Sequence, residues 1–180
     1  GDRVSEGDIL LRIDDTVFAS QFQENVARRD VLEAKIARLT AEAEDKSEIA
    51  FPKRLKGERP DLVARETSLF ESRKSSLESQ IAISSRSLEL AKEEMKMTRP
   101  LADAGVVSKI ERLRLEREIN ELEGTIETSK KDFQRATLEE QDAARAELES
   151  LQQSIKAHED RVNRAIVLSP VSGVINTIHK

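Results

Sequence analysis

Cysteine, tryptophan and tyrosine are absent from this sequence, and its only aromatic residues are five phenylalanines. Without thiols there is no disulfide framework, no cysteine-based zinc site and no cysteine nucleophile. Rings supply much of the apolar area of a thick core. With 3% aromatic and 37% hydrophobic residues among 180, a globule around one such core is excluded. A basic excess is also missing: Lys and Arg number 30 against 35 Asp and Glu. The chain therefore lacks the positive face of a nucleic-acid binder. No apolar run is long enough to span a bilayer. The longest nearly uncharged stretch, Ala165–Ile178, falls short of the roughly 20 residues required and contains Pro170 and Gly173. No signal peptide is recognisable. Both termini fall in strand-like surroundings, as expected of a piece of a longer protein; any membrane anchor would lie outside it.

Charge is what the chain has in abundance, 36% of residues. With plentiful Leu, Ile and Ala, that composition predicts long exposed helices rather than disorder. Proline and glycine are confined to a few places. Pro52, Gly57 and Pro60 form one break, and Pro100 with Gly105 another. Between them lie helices predicted at about 16–47, 61–99 and 108–164, with a tip at about 100–107. In the last helix Leu115, Ile119, Leu122, Ile126, Ser129 and Phe133 alternate steps of four and three, as in a coiled coil. Ala144, Leu148, Leu151, Ile155, His158, Val162 and Ala165 do so too, out of phase by one residue. Packing is expected to be weakest at the polar join, Leu138–Asp142. The middle helix has two stripes. One is Leu62, Leu69, Ser76, Ile83, Leu90 and Met97; the other is Phe70, Leu77, Ile81, Leu88 and Met95. So wide an apolar arc predicts two neighbours. The first helix has the weakest stripe: Phe18, Phe22, Val26, Leu32, Ile36, Leu39 and Ala43.

Caps sharpen the helix ends. Asp14 or Asp15 suits the first helix and Asp61 the second. Ser108 and Glu111 have the spacing of a capping box. Gly105 suits the left-handed residue that ends a helix, so Asp103–Val107 reads as a tight turn between two antiparallel helices. The first two helices are together longer than the last. They must overlap or the linker must double back, giving three helices at the base and two at the tip.

Residues 1–13 and 165–180 differ from the rest. Val4, Ile9, Leu11 and Ile13 alternate around a turn at Glu6-Gly7-Asp8, and Ile166–Leu168 and Val174–Ile178 flank a turn at Ser169–Gly173. The predicted architecture is mainly α: a long antiparallel coiled-coil hairpin, residues 14–164, with a third helix at its base. It is inserted between two halves of a small β module.

Those halves resemble a split lipoyl or biotinyl domain. Val4-Ser5-Glu6-Gly7-Asp8-Ile9-Leu10 is similar to its first half, and Leu168-Ser169-Pro170-Val171-Ser172-Gly173-Val174-Ile175 to its second. Gly7, Asp8, Pro170 and Gly173 carry the likeness. Halves split by a helical hairpin resemble the periplasmic adaptors, or membrane fusion proteins, most closely those of haemolysin- and protease-secreting type I systems. The resemblance implies a periplasmic subunit anchored in the inner membrane, assembled into a ring, usually of six. It implies partners too: an ABC exporter and a TolC-like outer-membrane channel met by the tip. Adaptors of this kind often carry Arg-x6-Leu-x6-Ser at the tip. Leu101 and Ser108 match, while Glu94 holds the Arg position. Leu101, Gly105, Val106, Val107 and Ser108 are the candidate channel contacts. Apolar groups at an exposed turn often mark an interaction site, although these can also staple the two helix ends together.

Two other readings remain. Glu94-Met95-Lys96-Met97 resembles a biotin attachment motif, which suggests a carrier domain. Yet Met95 and Met97 fill heptad positions, where such side chains usually pack. The second is a plain coiled-coil tether. Two histidines, His158 and His179, do not make a typical metal site. No phosphate loop or catalytic triad is present. No enzyme activity, cofactor, metal or nucleic-acid partner is expected.

Overall fold

Between the breaks, Leu, Ile and Ala recur at helical spacing, and the chain forms long helices there. The computed structural model describes residues 3–12, 16–164 and 166–174. Strands β1 (Arg3–Val4) and β2 (Ile9–Arg12) precede helices α1 (Thr16–Ala43), α2 (Lys53–Glu58), α3 (Pro60–Asp103) and α4 (Lys109–Arg164). Strands β3 (Ile166–Leu168) and β4 (Gly173–Val174) follow. The expected caps Asp14 and Asp15, and the expected strand beyond Val174, lie outside the described residues. The chain divides into two compact units, Gly1–Glu33 with Ala144–Lys180, and Ala34–Ala143.

In the first unit the two ends of the sequence pair with each other. β1 is antiparallel to β4, with Arg3 opposite Val174 and Val4 opposite Gly173. β2 is antiparallel to β3, with Ile9 opposite Leu168 and Arg12 opposite Ile166. Between the two ladders the turns interlock. Gly7, at φ 90°, donates its N–H to the Ser169 carbonyl at 2.9 Å, and Ser169 donates to the Asp8 carbonyl at 2.8 Å. Asp8 accepts the Ser5 N–H on its carboxylate at 2.7 Å. The Ser172 hydroxyl accepts the Glu6 N–H at 2.9 Å. Ser169 is buried and Pro170 exposed beside it. Gly7, Asp8, Ser169 and Ser172 thus close one paired turn structure from opposite ends of the chain. In the helices of this unit, Arg28 of α1 pairs with Glu147 of α4.

In the second unit, charged side chains record how the helices run. Arg38 and Glu42 of α1 pair with Glu66 and Arg73 of α3, in parallel order. Lys35 of α1 pairs with Glu140 of α4, and Thr137 donates to Glu42, in antiparallel order. The linker therefore doubles back, and α1 overlaps α3. α1 ends at Ala43, short of the expected 47, because Asp45 adopts a left-handed φ of 48°. Lys46 then donates to the Ala41 carbonyl at 2.9 Å, which closes the helix end. α2 is an extra turn within the break, pinned by buried Leu55.

α3 begins at Pro60 with Arg59 as its N-cap, so Asp61 lies in the first turn instead of capping it. Arg59 hydrogen bonds its carboxylate and holds it below the usual carboxylate range. At the other end α3 continues through Pro100 to Asp103. Pro100 deprives the turn before it of one donor, but its own carbonyl accepts the Ala104 N–H at 3.0 Å.

The base of this unit is held by a polar core. No side chain from Ala34 to Ala43 is exposed, so the helix with the weakest apolar stripe is the most enclosed. Arg38 donates from Nε to Glu66 Oε2 at 2.8 Å and from Nη1 to Glu42 Oε1 at 2.7 Å. Arg73 reaches Glu42 at 3.2 Å and Glu140 at 3.4 Å, and Lys35 reaches Glu140 at 3.0 Å. Arg65, more exposed, also reaches Glu66 at 3.2 Å, so four cations surround the three carboxylates. Burial alone lowers the Arg38 pKa, but the bonds from Glu66 and Glu42 outweigh it, and the net shift is upward. Burial alone raises Glu140. Lys35, by hydrogen bond and charge, and the charges of Arg38 and Arg73 outweigh it and hold the carboxyl low.

This network overturns the expectation of weak packing at the polar join of α4. Thr137 and Gln141 are buried there, and Gln141 donates to Thr40 Oγ1 at 2.8 Å. The seam steps Phe133, Thr137, Gln141, Ala144 include extra spacings of four, which locally unwind a supercoil. Polar residues fill these positions because a third helix with polar groups meets them. Toward the tip, the seam of α3 with α4 is the Phe70, Leu77, Ile81, Leu88, Met95 stripe. The other stripe is buried only at Leu62; Ile83, Leu90 and Met97 are exposed.

Candidate functional site: the hairpin tip

The tip is built from a helix stop at Asp103 and a helix start at Lys109, with five residues between. Gly105, at φ 72°, lets the chain leave α3 without a Cβ clash. Its N–H donates to the Ala102 carbonyl at 3.1 Å, and the Val106 N–H donates to the Leu101 carbonyl at 2.9 Å. This is the paired closure of a Schellman motif. Ser108 caps α4: its hydroxyl accepts the Ile110 N–H at 3.2 Å. The reciprocal half of the expected capping box does not form, because the Glu111 carboxylate turns to Arg114 at 2.7 Å.

Below the turn the helices are clamped by Ala102 and Leu115, both buried. Arg112 crosses from α4 to Asp103 at 3.6 Å. The turn is therefore a defined shape on a packed support. Leu101, Gly105, Val106, Val107 and Ser108 come together in it. Of these, Val106 is 72% exposed, Leu101 46% and Val107 half-buried. A hydrophobic staple would have covered Val106 against Leu101; here the valine stays open to solvent.

The structure adds two residues that sequence reasoning missed. Ile110 and Leu113, on the first turns of α4, are 77% and 51% exposed. Their signal was available: neither lies on the seam that begins at Leu115, and both follow the cap directly. With Leu101 and Val106 they give the tip an apolar surface. Glu94, at the position of the motif arginine, is exposed on α3 two turns below.

Lys96 lies inside α3 between half-buried Met95 and exposed Met97. A helix interior does not present a lysine as the hairpin turn of a biotin carrier does. Among the described residues no group of His, Asp and Glu could hold a metal, and no helix is long and apolar enough to cross a membrane.

Two comparisons place this architecture in a class. The family model for the AprE long alpha-helical hairpin matches residues 18–87, which run through α1 and α2 and into α3. Among solved structures, the chain is similar to the soluble domain of LipC, a membrane fusion protein of a type I secretion system. The TM-score is 0.64 at 19% identity, over 96% of this chain and 82% of that one. It is also similar to the periplasmic adaptor protein EmrA, with a TM-score of 0.39 at 21% identity, over 97% of this chain and 59% of that one. No curated protein matches significantly. Residues 18–87 thus match the AprE-type long helical hairpin, and the chain has the fold of the LipC soluble domain, in keeping with its resemblance to periplasmic adaptors.

Proposed function

We propose that this chain is the periplasmic portion of an adaptor subunit in a type I secretion system. It bridges an inner-membrane ABC exporter to a TolC-like outer-membrane channel, as a scaffold and not an enzyme. A segment outside residues 1–180 anchors it in the inner membrane. The paired ends form the lipoyl-like module, with Gly7, Asp8, Pro170 and Gly173 at its turns, and copies assemble into a ring. The tip carries recognition.

One observation carries this reading: apolar Leu101, Val106 and Ile110 are exposed at a turn whose backbone and supporting residues are fully organised. Exposed apolar surface on a rigid support suits docking, because little ordering entropy remains to be lost on binding. The LipC fold supports the same reading. The pairing of β1 with β4 and of β2 with β3 counts against a plain coiled-coil tether with accidental strand ends.

The test is export by cells whose only adaptor carries Val106→Asp and Ile110→Asp. Secretion should fall by at least tenfold while helicity and adaptor abundance stay unchanged. Secretion at the unaltered level would refute the tip assignment.

A further inference from the structure

We propose that the hairpin contains a bending point, formed by Gln80 on α3 and Gly124–Ser129 on α4. It lies between two clamped ends. At the base, Phe70 and Thr137 are buried; toward the tip, Ala91, Ala102 and Leu115 are. From 71 to 90 on α3 and from 116 to 136 on α4, no described side chain is buried. That is about 30 Å of paired helix held by half-buried seam residues, with Arg73 over the Phe133 ring at its base end and an exposed Lys92–Glu123 pair toward the tip.

The chemistry within this section is unlike that of its ends. Ser129 occupies a seam position of the kind that Leu122, Ile126 and Phe133 fill elsewhere. Opposite it, Gln80 donates to Ser129 Oγ at 3.3 Å, so a single polar contact replaces apolar packing. Beside this pair opens a cleft of about 900 Å³, lined by Ser76, Gln80, Gly124, Thr125, Ser129 and Phe133. Gly124 sits in mid-helix, and a Cβ built there meets nothing within 4 Å. No close approach explains the glycine, so what it contributes is backbone freedom. Thr125 donates its hydroxyl to the Glu121 carbonyl at 2.8 Å, a back-bond that often bends helices. Serine is dense on the facing stretch of α3, at Ser72, Ser75, Ser76 and Ser79, and serine hydroxyls compete with the helix ladder.

Weak seam, empty side and softened backbone coincide on both helices at one level. Bending there breaks no buried contact. Bending at either clamp would open the packing around buried Phe70 and Thr137, or around Ala102 and Leu115. The tip therefore swivels as a unit on the three-helix base.

The chain has no cysteine, so introduced thiols are the only labelling sites. Spin labels at Glu71→Cys and Glu118→Cys straddle the bending point, whereas labels at Glu93→Cys and Glu118→Cys lie on its tip side. The straddling pair should give a distance distribution at least twice as wide, which Gly124→Ala with Ser129→Leu narrows to the width of the control. Hydrogen exchange of the unaltered chain gives an independent reading. Amides at 76–82 and 121–129 should exchange at least tenfold faster than those at 64–70 and 112–118. Equal widths in the unaltered background, no narrowing in the filled variant, or equal exchange rates would overturn the proposal.

Discussion

Arg38 of α1 donates from Nε to the Glu66 carboxylate of α3 at 2.8 Å, with the two side chains only 2% and 6% exposed. Such a pair is costly to half-remove. Arg38→Met leaves Glu66 and Glu42 buried without their main cation, and should cost about 3–5 kcal/mol. Replacing all three, Arg38→Met with Glu42→Leu and Glu66→Leu, should cost less than the single change. Urea unfolding of the two variants checks the order; a single variant as stable as the parent would show that the network is not part of the fold's support.

Glu140 gives the network a defined pH response. Its carboxyl is held below its unfolded value, so its contribution is complete above that value. The contribution is lost as pH falls through the folded value. Unfolding midpoints should be level from about pH 7 to pH 5 and fall below about pH 4. Glu140→Gln should lower the midpoint at neutral pH and reduce the difference between neutral and acid.

The α3 stripe that faces solvent makes a sharper comparison. Leu90 is 60% exposed and Leu88 is half-buried on the seam, two residues apart. Leu90→Lys should change stability by no more than about 0.5 kcal/mol, whereas Leu88→Lys should cost more than about 1 kcal/mol. Thermal unfolding of both checks which stripe is the seam.

Gly105→Ala places a Cβ at φ 72° and should cost about 1–2 kcal/mol. Calorimetry reads the loss. The damage should be confined to the tip, with exchange of Ala34–Ala43 amides unchanged, because the base does not depend on the turn.

Much of this was legible in the residues. The α4 seam follows from its four-and-three spacing, the tip turn from Gly105 and Ser108, and the pairing of the ends from two alternating patterns. The polar core was not. Periodicity counts apolar residues, so a helix whose buried face carries Arg38, Thr40 and Glu42 reads as weakly amphipathic, and Thr137 and Gln141 read as a defect. The exposed heptad of Ile83, Leu90 and Met97 misled in the opposite sense. Spacing shows that apolar residues share a face, not that a partner covers it. Ile110 and Leu113 were missed for a related reason: they lie off every stripe, and that is what leaves them open at the tip.

A photocrosslinking amino acid at Val106 tests the central claim most directly, with one at exposed Lys131, far down α4, as the control. The account predicts an adduct between the Val106 position and an outer-membrane channel protein in secreting cells, and none from Lys131. Adducts from both positions alike, or none from Val106 while secretion proceeds, would contradict it.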